Sequence, residues 1–397
     1  MDAIQVVSTV ACFSTSAILG LVALNSKQTH RPILLCLLTI FSALAFRGIS
    51  VEALSIEGCH ILAMFVLFYI SHMTCALLLE KYRLPIEEAW GWRAAYKMLF
   101  NARWIGTERQ VPDIVMPSIP DSDISPREMK SETRPFKRLQ NALKLPRVIF
   151  VRNRLASLFV VYVLSKAFAT LPEKMFSSHF GPLGIEDFLP SQHIYFRRLS
   201  DVTLRETALR IWISAYFVWS TFSSLTMIHH LLAIIFVGTG VDGPKDWPSL
   251  YGNITEAYSV RRLWGKFWHK LVYRSYTSYG IFISSRILGL PKKSMVGRLF
   301  INFFVFFLSG CVHGLVQLQL RYSCGWKEDI AWYSLCFFMI MAETLFTFLA
   351  KKALGRYWKY LMADWVCKPL GFLWVGWFLF WSLPKSQYPK MFCFPEM

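Results

Sequence analysis

Hydrophobic residues in this chain come in long runs, without the alternation expected of half-buried strands. About eight runs approach the roughly 17–25 apolar residues that carry a helix across a bilayer: 4–24, 33–50, 60–79, 155–171, 207–237, 299–320, 330–350 and 366–383. Arg47 intrudes near the end of the second run, and 207–237 is long enough to tilt strongly or to contain a break. The pattern predicts an all-α fold, a polytopic membrane helical bundle of about eight transmembrane helices plus interfacial helices. Residues 1–397 read as a single membrane-embedded domain. Within it, Pro112, Pro117, Pro120, Pro126, Pro135 and Pro146 mark 108–146 as a loosely ordered loop. Asp2 precedes the first run in place of a basic segment, and no small-residue cleavage site follows, so that run reads as a retained span.

The stretch 264–290 has another rhythm. Trp264, Phe267, Trp268, Leu271 and Val272 are spaced for one apolar helical face, and Arg261, Arg262, Lys266, Lys270 and Arg274 supply a basic rim. That combination predicts an amphipathic helix lying at the membrane interface.

Composition supports a membrane protein. The 397 residues are 54% hydrophobic, and mean hydropathy is +0.38; a soluble or disordered chain of this length would be less apolar. The net charge of +18 gathers in 80–154, 238–298 and 351–359. Positive-inside logic assigns all three loops to the cytosol, and the eight-span count places them on one side. Attraction to anionic headgroups accounts for the basic excess, and nothing outside this setting suggests nucleic-acid binding. The nine cysteines show no CxxC and no metal-ligand spacing, so no metal site is expected and they read as small apolar residues of a membrane interior.

His313 changes the picture from membrane protein to membrane chemistry. It lies in the middle of 299–320, where ionisable side chains are rare and usually functional. Asn302, Ser309, His313 and Gln317 follow at spacings of seven, four and four, which stacks them on one helical face. Gly310 and Gly314 beside the stripe would admit another helix or a substrate. Glu343 in 330–350 reads either as a proton partner or as a neutral, hydrogen-bonded acid. His229 and His230 read either as cavity-lining or as helix-packing residues, and His60 and His72 as ordinary span residues.

Four ordered motifs then carry a resemblance. Asn101-Ala-Arg-Trp-Ile-Gly-Thr107 comes first, followed by Trp247-Pro-Ser-Leu-Tyr-Gly252. Ser259-Val-Arg-Arg-Leu-Trp-Gly-Lys-Phe-Trp-His269 and Ser309-Gly-Cys-Val-His313 complete the set. From about Asn101 onward the chain resembles the wax-synthase-like branch of the membrane-bound O-acyltransferases. It departs from that pattern at Trp104, where the branch has Gly, at Lys266 for Arg and at Leu263 for Phe.

The resemblance implies that His313 acts as the general base on an alcohol and that His269 places or polarises the acyl donor. An imidazole suits the first task because its ordinary pKa lies near working pH, and such a base contributes about 10²–10⁴-fold. The donor would be an acyl-CoA, most simply acetyl-CoA, with no permanently bound cofactor. Arg261, Lys266, Trp264 and Trp268 are the expected donor-side residues, and Asn302, Ser309 and Gln317 the polar lining of a reaction tunnel. The acceptor would be a lipophilic alcohol entering from membrane lipid.

Fungal members of the branch acetylate terpenoids and meroterpenoids in secondary metabolism, whereas others make long-chain wax or steryl esters. The expectation is therefore an O-acetyltransferase in the endoplasmic reticulum membrane, with a wax or steryl ester synthase as the alternative. A rival of another class is a proton-coupled transporter that uses His313 and Glu343 as a relay. The absence of paired broken helices and of a repeat weighs against it. A non-catalytic scaffold leaves the polar stripe without a reason.

Overall fold

The computed structural model describes residues 3–50, 55–84, 91–117, 145–291, 293–320 and 325–393. Most of the expected loop 108–146 lies outside the described residues.

Three antiparallel hairpins form the frame. Helices α1 (Ala3–Asn25) and α2 (Arg31–Arg47) are tied at mid-length by Ser16, whose hydroxyl bonds Ser42 Oγ and the Leu38 carbonyl at 2.7 Å each. Helix α3 (Ile56–Thr74) ends in a wider π turn, Cys75–Leu79, and α4 (Trp92–Leu99) is short. The second hairpin joins α5 (Pro146–Phe180) and α6 (Leu204–Gly238). Between the second and third hairpins lie α7 (Val260–Arg262), extended by the π turn Leu263–Phe267, and α8 (Tyr273–Phe282), extended by Ile283–Ile287. The third hairpin joins α9 (Met295–Gln319) and α10 (Trp326–Leu354), and α11 (Asp364–Phe392) follows.

Among the described residues, seven helices have the length and hydropathy to cross a membrane. The one expected span outside that set is α2, only 17 residues long, which runs alongside α1. Of the two readings of 207–237, a strong tilt or a break, the break does not occur: α6 is continuous over 35 residues.

Gly310 and Gly314 let a helix come close. A Cβ at Gly310 would lie 2.7 Å from the Ile330 Cα, and one at Gly314 2.9 Å from the Trp326 carbonyl oxygen. The two glycines thereby fix the register of α9 on α10.

Polar contacts tie distant segments together at the two ends of the bundle. At one end Arg31 reaches the Tyr82 carbonyl, Lys97 pairs with Asp246, and Glu80 pairs with Arg109 and Arg274. At the other, Gln319 bonds the Arg47 carbonyl and Lys390 pairs with Asp329. Cys393, at this second end, is disulfide-bonded and so is not the membrane-interior thiol expected; a disulfide suits an oxidising, non-cytosolic compartment.

The amphipathic interfacial helix is corrected. Residues 264–290 are two helices, because Trp268 turns extended (φ −62°, ψ 152°) after the π turn. The apolar side chains do not face headgroups. Leu263 and Phe267 pack with Leu250 and Tyr251 against Trp332, Cys336, Val375 and Phe378. Protein neighbours thus compete successfully for a face that a lone amphipathic helix would give to lipid. Glu343 supplies the anchor: its carboxylate accepts the Val260 and Arg261 backbone N–H groups at 3.0 Å each and Trp374 Nε1 at 3.1 Å. A carboxylate on the first-turn amides satisfies donors that a helix leaves unpaired. The role of Glu343 is to hold α7, which neither sequence reading had assigned to it.

Candidate active site

Three motifs are knitted together by backbone contacts. Asn101 folds its own loop, accepting the Ile105 N–H at 2.7 Å and donating to the Ile105 carbonyl at 2.9 Å. Arg103 then donates to the carbonyls of Ser249 (2.6 Å) and Pro248 (3.1 Å), clamping the Trp-Pro turn. Gly252 N–H bonds the Phe267 carbonyl at 2.8 Å, and any Cβ there would overlap the Lys266 carbonyl. Trp104 adopts φ +55°, a left-handed conformation that glycine tolerates freely. That explains a Gly at this position in the resembled branch. Here the indole is fully buried, edge-on to Tyr82 at 5.3 Å and beneath the Arg274 guanidinium at 5.3 Å.

The knitted unit walls one side of a cavity of about 110 Å³. Trp264, Trp268 and His269 face Phe306, Ser309 and His313 of α9 and Tyr333 of α10 across it. A smaller cleft, bounded by Arg103, Asp113 and Lys266, shares Trp268 and Lys270 with the first. The two adjoin on the side of the predicted cytosolic loops, where a reaction tunnel was expected.

His313 is paired. Its Nε2 lies 2.7 Å from the Tyr333 hydroxyl, and the two rings stack at 4.7 Å with 17° between planes. The His60 ring lies 5.8 Å away, so His60 is more than an ordinary span residue in position. His269 sits in the extended turn after α7, packed on Trp268 (5.7 Å) and Tyr251 (5.9 Å), with no hydrogen-bond partner for its Nδ1 among the described residues. Burial, reinforced by the Arg103 charge, pushes its pKa down to about 4, so the ring is neutral.

The other expected residues divide. Trp264, Trp268 and Ser309 line the cavity, the two indoles meeting edge-on at 5.4 Å. The Ser309 hydroxyl donates to the Val305 carbonyl at 2.9 Å. Asn302 is exposed and Gln317 is buried away from the cavity, so neither lines it. The reason is axial: along α9 the cavity lining runs only from Val305 to His313, and Asn302 and Gln317 lie beyond its two ends.

Lys266 borders the smaller cleft and pairs with Asp113 at 2.9 Å, while Arg261 is exposed and lines neither space. Arg262 pairs with Glu256. Lys270 leaves the expected rim: it is buried, donating to the Pro112 carbonyl at 2.8 Å and pairing with Asp113. Burial lowers the Lys270 pKa, and hydrogen bonding from Lys266 holds the Asp113 carboxyl below its usual range. His230 bonds Ser157 (3.0 Å) and Arg154 (3.4 Å) of α5, and His229 lies 5.4 Å from Trp247; neither lines the cavity.

Tyr333 is the residue that sequence reasoning missed. No spacing links it to His313, since the two meet only through the α9–α10 register set by Gly310 and Gly314.

Residues 247–340 match the membrane bound O-acyl transferase family. Acetyltransferase aurG of Calcarisporium arbuscula is 31% identical over 199 residues, covering 50% of this chain and 47% of its own. Acetyltransferase eriL of Hericium erinaceus is 25% identical, covering 52% of each chain. Acetyltransferase nanB of Aspergillus nanangensis is 28% identical over 296 residues, 73% of this chain and 66% of its own. The chain spans about half the length of the first two of these curated relatives. No solved structure matches. The match spans the Trp-Pro turn, the α7 motif and α9 with His313, and ends midway along α10.

Proposed function

We propose that this protein transfers an acyl group, specifically acetyl from acetyl-CoA, to the hydroxyl of a lipophilic acceptor such as a terpenoid or meroterpenoid. The observation that carries the reading is the cavity that brings His313 and His269, distant in sequence, to facing walls. His313 serves as the base that takes the alcohol proton. His269, held neutral, sits where the donor's thioester would lie and polarises or places it. Trp264 and Trp268 shape the donor side, and Lys266 and Lys270 lie on the route from the cytosol.

Acetyl is favoured over a long acyl chain because the three relatives are all acetyltransferases by name. A proton relay through His313 and Glu343 loses its second member, because Glu343 is occupied with the α7 amides. We place the protein as one acyltransferase domain in the endoplasmic reticulum membrane, with lipid supplying the acceptor.

The test feeds labelled acetyl-CoA and, separately, a long-chain acyl-CoA to membranes with and without the protein, and identifies new esters by mass. Acetyl esters that vanish in His313→Ala, with the protein still inserted at wild-type abundance, are the expected result. Turnover retained in that variant removes His313 from the mechanism. Esters formed only from the long-chain donor overturn the acetyl assignment.

A further inference from the structure

Resting on the acyl-transfer reading, we propose that Tyr333 is a further catalytic residue: it accepts the Nε2–H of His313 and offers its own hydroxyl proton to the carbonyl oxygen of the acyl group. Only one proton can lie in the 2.7 Å contact between Tyr333 Oη and His313 Nε2. His313 acts as a base only through a nitrogen with a free lone pair. Tyr333 occupies Nε2, so the incoming alcohol meets Nδ1. A neutral imidazole with its lone pair on Nδ1 carries its proton on Nε2. Nε2 therefore donates to the tyrosine oxygen.

The hydroxyl then acts as acceptor toward His313 and keeps its own proton. Among the described residues it has no other hydrogen-bond partner, and Tyr333 lines the cavity. The free O–H is thus directed to whatever the cavity holds. Preorganisation favours this use. The ring is stacked on His313 and flanked by Trp332 at 4.9 Å and Trp264 at 6.2 Å. Both partners stand on helices locked by the Gly310 and Gly314 contacts, so little reorganisation accompanies reaction.

The proton count closes. As the alcohol oxygen bonds to the acyl carbon, its proton passes to His313 Nδ1. The carbonyl π pair moves onto oxygen, where the Tyr333 O–H holds it. When that pair returns, the carbon–sulfur bond breaks and the leaving thiolate takes the proton from Nδ1. An ester and a free thiol result, and nothing is oxidised or reduced.

The experiment uses the full chain in membranes, acetyl-CoA as donor and a panel of terpenoid alcohols, farnesol among them, as acceptors. Wild type, Tyr333→Phe and His313→Ala are compared. Tyr333→Phe keeps the ring stack and removes only the hydroxyl. Its kcat is expected to fall about 10²–10³-fold, the loss typical of one oxyanion donor. KM for acetyl-CoA stays near wild type, because the bond to the carbonyl oxygen is made only in the transition state, while the thermal midpoint falls modestly as His313 Nε2 loses its resting partner. A Tyr333→Phe enzyme with kcat within about threefold of an active wild type overturns the assignment. So does a kcat loss matched by a raised KM and a steeply lowered midpoint, which is the mark of a packing role. Wild-type membranes that acetylate no alcohol remove the acyl-transfer reading itself, and this assignment falls with it.

Discussion

His269 keeps its neutral form because a charged ring in that turn would lose its solvation and face Arg103. Its pKa of about 4 lies below the ordinary histidine value, so the unfolded chain takes up a proton that the folded one refuses. The sign follows. The stability tied to this group is complete above about pH 6.5 and drains as pH falls toward 4. His269→Gln is therefore expected to show a shallower loss of thermal midpoint between pH 7 and pH 5 than wild type. Parallel slopes in the two proteins would show that folding leaves the His269 pKa at its ordinary value. Trp104 makes the complementary point about backbone. A side chain at φ +55° costs conformational energy that glycine avoids, and its full burial between Tyr82 and Arg274 offsets that cost.

At the scale of elements, the device that matters is the joint between the Trp-Pro turn and α7. Gly252 sits so close to the Lys266 carbonyl that a methyl group there forces the two segments apart. Gly265, the residue before Lys266, has open space around its missing Cβ. Gly252→Ala is expected to cost about 1–3 kcal/mol and to lower transfer, as overpacking does elsewhere. Gly265→Ala should leave midpoint and turnover near wild type. Equal effects of the two, read by thermal unfolding and ester yield, would remove the joint as the cause. Glu343 completes the same element from the far side: α7 is only one turn before its π extension, too short to hold its own shape without the carboxylate on its first amides.

For the whole molecule, orientation is the open physical quantity, and it decides from which side a water-soluble thioester arrives. Lys245 is exposed at the end that gathers the basic loops, and Arg197 is exposed at the opposite end. A membrane-impermeant maleimide should label Lys245→Cys in sealed, cytosol-side-out vesicles, and Arg197→Cys only after detergent. The reversed order would place the smaller cleft in the wrong compartment for coenzyme A. The Asn253-Ile254-Thr255 sequon should likewise carry no glycan.

Long apolar runs were sufficient by themselves for the helical membrane bundle, because span length is a property of the chain against the bilayer. His313, His269 and the ordered motifs were legible for the same local reason: each signal lies within a few residues. Whatever depends on two distant segments meeting was not. Register set by Gly310 and Gly314 brought Tyr333 onto His313, packing against α10 and α11 turned an interfacial helix into a buried elbow, and helix rise carried Asn302 and Gln317 out of reach of the cavity. Glu343 was visible as an intramembrane acid, but only the tertiary structure gave it the α7 amides as partners. A hydrogen bond between helices is a statement about three-dimensional register, and no one-dimensional spacing encodes it.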